Sequence, residues 1–271
     1  MARVSVVLTV YDGERYVEEA LASLQAQTYP DFETIVVDDG STDRTVEVVR
    51  GYAGEQVRLL CPGRIGRGRA LNYGVAAAQG EYVAILDADD IALPTRLEQQ
   101  VELLDACPEV GLVGTGFRRL HNDGRAEDFP SAETDAELRR DLLLDTLFHH
   151  STVMYRRECF GRAGGYDESL PCCLDHDFFL RMARYVQLGG IRDILCVRRV
   201  TGGNYFMAVF GRWDRVRVLA RARFRHLRHL CPAPAWWLYW MVTLVVPTRV
   251  RRWLRRRTSP ALTPRPDPIS S

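Results

Sequence analysis

Arg3 to Val10 reads RVSVVLTV, an apolar and largely β-branched run that suits a strand buried on both faces. Tyr11-Asp12-Gly13 breaks it, Tyr16, Val17, Ala20, Leu21 and Leu24 then recur at helical spacing, and Tyr29-Pro30 ends the helix. Phe32 to Val37 predicts a second buried strand. It is closed by Asp38-Asp39-Gly40-Ser41-Thr42-Asp43, where Ser41 or Thr42 can cap a helix carrying Val46, Val49 and Tyr52. Val57 to Leu60 is a third strand, and Gly63, Gly66 and Gly68 lie in an Arg-bearing loop before a helix holding Leu71, Val75 and Ala78. Tyr82 to Leu86 is a fourth strand, and Pro94 opens a helix reaching about Cys107. Strand alternating with helix at this interval predicts βαβ units: an α/β, Rossmann-like, doubly wound, mainly parallel sheet with helices on both faces.

Beyond Gly111 the pattern loosens. Gly111 to Arg119 reads as a strand, His121 to Glu133 as a polar loop and Asp135 to Leu147 as a helix. Phe178, Phe179, Met182 and Tyr185 mark a further helical face with Asp175 at its start.

Composition changes the picture in three places. Net charge is +1 and 46% of residues are hydrophobic, enough for one large domain with an appendage. All basic residues are Arg, the side chain that holds phosphates bidentately. The seven cysteines are scattered, with no C-x-x-C pair, which argues against a disulfide framework and a zinc site. The strand pattern begins by Val4 and leaves no room for a signal peptide, so the catalytic part is expected to be cytoplasmic.

The candidate chemistry gathers at strand ends. The fourth strand stops in Asp87-Ala88-Asp89-Asp90, three carboxylates that repel one another unless a cation sits between them. Hard oxygen ligands suit Mg²⁺ or Mn²⁺ shared with a substrate phosphate. The alternative is a solvated acidic turn in which Asp89 or Asp90 starts the next helix. In a parallel sheet Thr9 and Tyr11, Asp38 and Asp39, and Asp87 and Asp89 line one crevice at the carboxyl edge. Acid at the second strand end suits a base imide or a ribose hydroxyl, and Arg64, Arg67 and Arg69 either close over a diphosphate or belong to a solvated loop. A Rossmann dinucleotide site is disfavoured, because the first turn reads VYDGERY without G-x-G-x-x-G.

Two stretches, SVVLTVYDGERYVEEALASLQAQTYPDFETIVVDDGSTD and ALNYGVAAAQGEYVAILDADD, resemble family 2 glycosyltransferases, the inverting GT-A type that uses nucleoside-diphospho sugars. The resemblance runs to about residue 205. It implies that Asp39 reads uracil or another base, that Thr9, Tyr11 and Glu14 frame the nucleotide, and that Asp87, Ala88 and Asp89 form the D-x-D element. Asp89 would be the leading metal contact, with Asp87 and the extra Asp90 as further candidates for Mn²⁺ or Mg²⁺. Arg67 joins the nucleotide-sugar set. His149 to Tyr155 resembles the segment entering the acceptor side, and His150 carries over there; the alternative is a packed or capping histidine pair. Gly164-Gly165-Tyr166-Asp167-Glu168 matches the family's G-G-[FY]-D-E turn. Leu174-Asp175-His176-Asp177 resembles its E-D motif, with Leu174 where Glu is usual. Asp175 carries over as the catalytic base, and a plain helix N-cap is its alternative role. No Q-x-x-R-W follows, which implies single addition rather than polymerisation. Arg198 to Gly203 offers no later His for metal binding.

The end of the chain differs. Arg212 to His229 is Arg-dense, Ala235 to Val246 reads AWWLYWMVTLVV, and Arg249, Arg251, Arg252, Arg255, Arg256 and Arg257 follow. A spanning helix needs about 20 apolar residues, more than this run offers. Trp and Tyr between basic flanks suit a helix lying on an anionic membrane surface. A helical hairpin packed on the catalytic domain is the alternative, and nucleic acid is not expected. Three segments are therefore expected. Residues 1–205 form a GT-A domain, with a nucleotide-sugar half at 1–110 and an acceptor half at 111–205. Residues 206–257 form a helical basic and aromatic membrane-interface appendage, and 258–271 a disordered tail. The expected activity is inverting, metal-dependent, non-processive transfer from a nucleoside-diphosphate sugar, a UDP-sugar foremost. The acceptor is a saccharide or lipid-linked saccharide, in cell-surface polysaccharide or glycolipid assembly. The protein would sit peripherally on the cytoplasmic face of the plasma membrane. A nucleotidyltransferase and a catalytically impaired sugar-nucleotide-binding protein are the other readings.

Overall fold

A computed structural model describes residues 2–144, 148–200, 218–222 and 225. The first four strands follow the hydrophobic pattern: β1 (Val4–Val10), β2 (Phe32–Asp38), β3 (Val57–Leu60) and β4 (Tyr82–Asp87). They alternate with α1 (Val17–Gln25), α2 (Thr45–Tyr52) and α3 (Arg67–Ala77). The chain continues through β5 (Ile91–Ala92), α4 (Arg96–Ala106), β6 (Val110–His121), β7 (Ala126–Phe129) and α5 (Asp135–Leu144). A 3₁₀ turn, His150–Thr152, leads into β8 (Val153–Arg156), α6 (Arg157–Ala163), α7 (Leu174–Met182) and β9 (Gln187–Val200).

One sheet holds the described strands in the order β3-β2-β1-β4-β8-β6-β9-β5, with β7 paired to β6. β1 is parallel to both β2 and β4, and β2 to β3. β8 runs antiparallel between β4 and β6. Alternate residues of β1 serve opposite faces, as the period of a strand requires. Val4, Val6, Leu8 and Val10 pack on Val17, Leu21 and Leu24 of α1 and on Leu97, Val101 and Leu104 of α4. On the other face a Cβ at Gly74 of α3 would stand 2.6 Å from Val7 Cγ1 and 3.1 Å from Val37 Cγ2. That glycine lets α3 lie directly on β1 and β2. The architecture is the expected α/β, doubly wound, mainly parallel sheet.

Several local expectations are corrected. α2 starts at Thr45, and Ser41 and Thr42 do not cap it. Ser41 Oγ accepts the Asp12 N–H at 2.9 Å and the Thr42 N–H donates to Asp12 at 2.7 Å, so both residues join two loops instead. Arg67, Gly68 and Arg69 form the first turn of α3 rather than a loop. Neither Asp89, Asp90 nor Pro94 opens a helix: β5 intervenes, and α4 begins at Arg96. β5 exists because Ile91 and Ala92 pair with Val197 and Cys196 of β9, partners that no local period reports. β7 likewise orders part of the expected polar loop by pairing with β6. α5 is described only to Leu144, and the rest of that expected helix lies outside the described residues. No disulfide joins the described cysteines.

By its internal contacts the chain divides after Leu230. Within the first unit residues 218–222 are helical and Ala222 is buried. Among the described residues no helix is long and apolar enough to cross a membrane. Most of the expected appendage at 206–257, all of the tail at 258–271 and the boundary at 205 lie outside the described residues.

Candidate active site

Strand register sets the first contacts. Thr9 stands beside Asp87 on β4 and Val37 on β2, and Val10 beside Asp38. The ends of β1, β2 and β4 therefore share one edge, where open α/β sheets bind ligands. At its β2 corner Asp39 is buried, and its Oδ1 accepts the Ile65 N–H at 2.7 Å and the Gly66 N–H at 2.8 Å. Arg64 completes the carboxylate through Oδ2 and lays its guanidinium carbon 3.6 Å from the centroid of the Tyr11 ring. Tyr11 is among the exposed large apolar side chains. Glu14 is placed differently: its carboxylate accepts the Arg44 N–H at 2.9 Å, within the stitching of the β1–α1 and β2–α2 loops.

The β4 corner holds the acids. Asp87 Oδ1 receives Arg67 Nη2 at 2.7 Å, and His150 Nδ1 lies 3.3 Å away. Burial works to raise the pKa of Asp87, but Arg67 and His150 overrule it and hold the carboxyl well below its ordinary value. Asp89 goes the other way. Burial, Asp90 and Asp87 push its pKa up to about 6. No hydrogen bond or ion pair joins it to another side chain among the described residues, whereas Asp90 is buried and fully engaged. Asp90 is held by His149 Nε2, by the Ser151 hydroxyl and by the Arg199 N–H at 3.0 Å. Ala88, between the acids, packs partly on the core.

This donor set fits a hard divalent cation. Ligand atoms of Asp87, Asp90 and His149 lie within 4.8 Å of one another. Asp89 adds a crowded carboxylate that a positive charge would relieve. Carboxylate oxygens suit Mg²⁺ and Mn²⁺, and an imidazole leans toward Mn²⁺.

The second half of the chain reaches the same edge through α3. A Cβ at Gly68 would meet Glu168 Cα at 3.3 Å and Leu174 Cδ2 at 3.5 Å, so the start of α3 rests on the Gly-Gly-Tyr-Asp-Glu turn. The Asn72 side chain exchanges hydrogen bonds of 2.9 and 2.8 Å with the Tyr166 backbone, and Arg69 pairs with Glu168 at 3.2 Å. Gly164 and Gly165 adopt positive φ of 79° and 66°, which is why the turn takes glycine twice. Tyr166 Oη meets His150 Nε2 at 2.9 Å, and His150 is buried. Asp175 is the second residue of α7, with Cys173 rather than Asp175 at the cap position. Arg67 ties it to the acids: its guanidinium is held charged by Asp87 first, and by Asp175 and Asp89. His176 and Asp177 are both buried, and Asp177 pairs with Arg181 at 2.8 Å.

The structure thus brings Thr9, Tyr11, Asp39, Arg67, Asp87, Ala88, Asp89, Asp90 and His150 to one edge, with Asp175 in the first turn of α7, and leaves Glu14 in the loop stitching. Sequence reasoning missed the engagement of His149 and Ser151 with Asp90, and the role of Arg96. Arg96 is fully buried and donates to Ile85 O at 2.9 Å and Val153 O at 3.1 Å, tying β4 to β8 behind the acids. Its spacing behind Pro94 carries no local signal, because an Arg there ordinarily reads as surface.

Comparison with known proteins agrees with this geometry. The profile of glycosyl transferase family 2 matches residues 5–164. An uncharacterized glycosyltransferase of Rickettsia typhi is 30% identical over 73% of this chain and 64% of its own length. One of Rickettsia conorii is 31% identical over 72% of this chain and 34% of its own length, so the chain spans only part of these relatives. One of Methanocaldococcus jannaschii is 28% identical over 90% of this chain and 87% of its own. Among solved structures, S. aureus TarS in complex with UDP-GlcNAc superposes with a TM-score of 0.70 at 20% identity, covering 94% of this chain and 79% of that one. A mannosyltransferase of Pyrobaculum calidifontis in complex with GDP-Man and Mn²⁺ gives 0.61 at 22%, covering 93% and 83%. At these identities the two likenesses carry the GT-A fold, and the sequence match carries the family: the chain belongs to glycosyl transferase family 2.

Proposed function

We propose that this protein is an inverting, metal-dependent glycosyltransferase that moves a sugar from a nucleoside-diphosphate sugar, a UDP-sugar foremost, to an acceptor hydroxyl. The observation that carries the reading is the cluster at the end of β4, where ligand atoms of Asp87, Asp90 and His149 lie within 4.8 Å of one another and Arg67 Nη2 meets Asp87 Oδ1 at 2.7 Å. The UDP-GlcNAc and the GDP-Man with Mn²⁺ held by the two structural neighbours support a nucleotide sugar and a divalent metal here.

In the proposed reaction Tyr11, Thr9 and Asp39 orient the nucleotide. Asp89 and Asp87, with Asp90 and His149 beside them, would hold the metal. When bound, Mn²⁺ or Mg²⁺ supplies Lewis-acid neutralisation of the charge growing on the leaving diphosphate. Arg67 adds a fixed positive charge at the same place. Asp175 takes the acceptor proton as the acceptor oxygen bonds to the anomeric carbon and the bond from that carbon to the diphosphate oxygen breaks. Attack from the face opposite the leaving group inverts the anomeric centre, the same stereochemical logic as a single displacement in hydrolases. His150 stands behind Asp87 and Arg67 and braces the acceptor-side segment against them. Single addition, an acceptor in cell-surface polysaccharide or glycolipid assembly, and attachment to the cytoplasmic membrane face through 206–257 complete the proposal.

The test is a panel of nucleotide sugars offered with Mn²⁺ or Mg²⁺, with products identified by mass spectrometry and anomeric configuration by NMR. Transfer with inversion, abolished by EDTA and restored by metal, is expected. Retention of configuration would remove the role given to Asp175, and full activity in chelator would remove the metal.

A further inference from the structure

Tyr11 and Asp39 make a seat for one flat hydrogen-bond donor. The Tyr11 ring supplies a stacking face and Asp39 an acceptor at its edge. Only part of that carboxylate is open to competition, since Oδ1 already accepts the Ile65 and Gly66 N–H groups at 2.7 and 2.8 Å. Arg64 fills the remainder. Its guanidinium carbon is 3.6 Å from the Tyr11 centroid, and its Nη1 bonds Asp39 Oδ2 and approaches the Asp39 carbonyl at 3.3 Å. A guanidinium placed so is planar, stacked and donates N–H to the carboxylate. A pyrimidine imide or purine lactam on the same ring face would do the same. Stacked groups keep about this separation, so a base and the guanidinium cannot share that face.

We propose, building on the nucleotide-sugar reading, that Arg64 is a displaceable stand-in for the nucleobase, occupying the Tyr11–Asp39 seat until a base with a ring N–H takes its place.

The mainchain cannot make that exchange. A Cβ at Gly40 would stand 2.9 Å from the Arg64 N and 3.1 Å from its Cα, so the loop backbone is pressed against β2's end and pinned there by Asp39. The side chain can, because 45% of it is exposed and solvent lies open to it. Uracil, thymine and guanine bring the required ring N–H. Cytosine and adenine present a lone pair there, which would face the buried carboxylate. A ligand that must first displace a resident group binds more weakly by the fraction of time the seat is free.

Uridine separates this idea from a phosphate contact, because it has the base and no phosphate. Isothermal titration of Arg64→Ala and Arg64→Met with uridine and with UDP in Mn²⁺ is the experiment, alongside thermal melts of both variants. The stand-in predicts that both variants melt as a single folded transition and bind uridine and UDP tighter by a similar factor of about five, the scale of one exposed cation–π contact with its ion pair. Unchanged or weaker uridine binding in both variants overturns the stand-in. Weaker UDP with unchanged uridine also overturns it, and makes Arg64 a phosphate contact. If the unaltered protein binds no nucleoside diphosphate of any base, the nucleotide-sugar reading falls and takes the stand-in with it.

Discussion

Asp89 carries the largest unanswered electrostatic load among the acids at the strand edge. Burial and two neighbouring carboxylates raise its pKa from 3.8 to about 6. An acid raised on folding holds its proton in the native chain after the unfolded chain has released it. Stability therefore falls as pH rises through that window, and the penalty is complete above about pH 6. In EDTA, Asp89→Asn is expected to melt higher than the unaltered protein at neutral pH, with the gap closing near the unfolded pKa. Thermal melts at the two pH values check this, and a variant that melts lower at neutral pH contradicts the assignment. The same substitution is expected to abolish transfer, a site that trades stability for function. Asp175→Asn keeps the volume but accepts no proton at neutral pH, so turnover should fall by about 10²–10⁴-fold with donor affinity unchanged. Steady-state kinetics with a donor titration reads both numbers, and a loss under about tenfold moves the base elsewhere.

At the scale of elements, α3 is the part that joins the two halves. Its buried side rests on Val7 and Val37 through Gly74, its first turn delivers Arg67 to the acids, and Asn72 grips the turn that precedes α7. Gly74→Val would force stiff β-branched neighbours apart in a full core and is expected to cost about 2–3 kcal/mol. Urea unfolding measures that loss, and an unchanged midpoint would mean that α3 does not sit this close to β1. Behind the acids, α4 makes a second join. Arg96 and Gln100 take carbonyls of Ile85, Val153 and Thr152, so the strand that ends in the acids and the turn that carries His150 and Ser151 are held at one spacing.

For the whole molecule, the residues assigned to donor, metal and base lie between Thr9 and Asp175, and an Arg-rich excess of positive charge lies downstream. In the proposed attachment the run of Trp between Arg-rich segments at 206–257 would join apolar burial to attraction for anionic lipid, about 1 kcal/mol per Arg near such a surface and weaker in salt. The full chain is expected to sediment with anionic vesicles more than with neutral ones, while a chain ending at Leu230 stays in solution and still binds donor. The cut belongs after Leu230 because the first unit runs to Leu230 and Ala222 is buried within it. Equal sedimentation with both vesicle types removes the electrostatic part, and an unfolded shorter chain makes the appendage part of the core.

By itself the sequence determined the first four strands and their alternation with helices, because period and run length are local properties and β1, β2 and β4 are buried on both faces. The same local logic put Asp39, Asp87 and Asp89 at strand ends and hence on one edge, once parallel pairing was granted. Only the tertiary structure decided which acid is engaged and which is exposed to a ligand. Asp90 meets His149 and Ser151 across some sixty positions of chain and Arg199 across more than a hundred, and no period reports a pairing of that separation. β5 and β7 were illegible for the same reason: each exists through a partner strand rather than through its own residues. Glu14 shows the converse. A residue type can suit a nucleotide, yet the Arg44 N–H at 2.9 Å, brought there by the fold, is what its carboxylate meets.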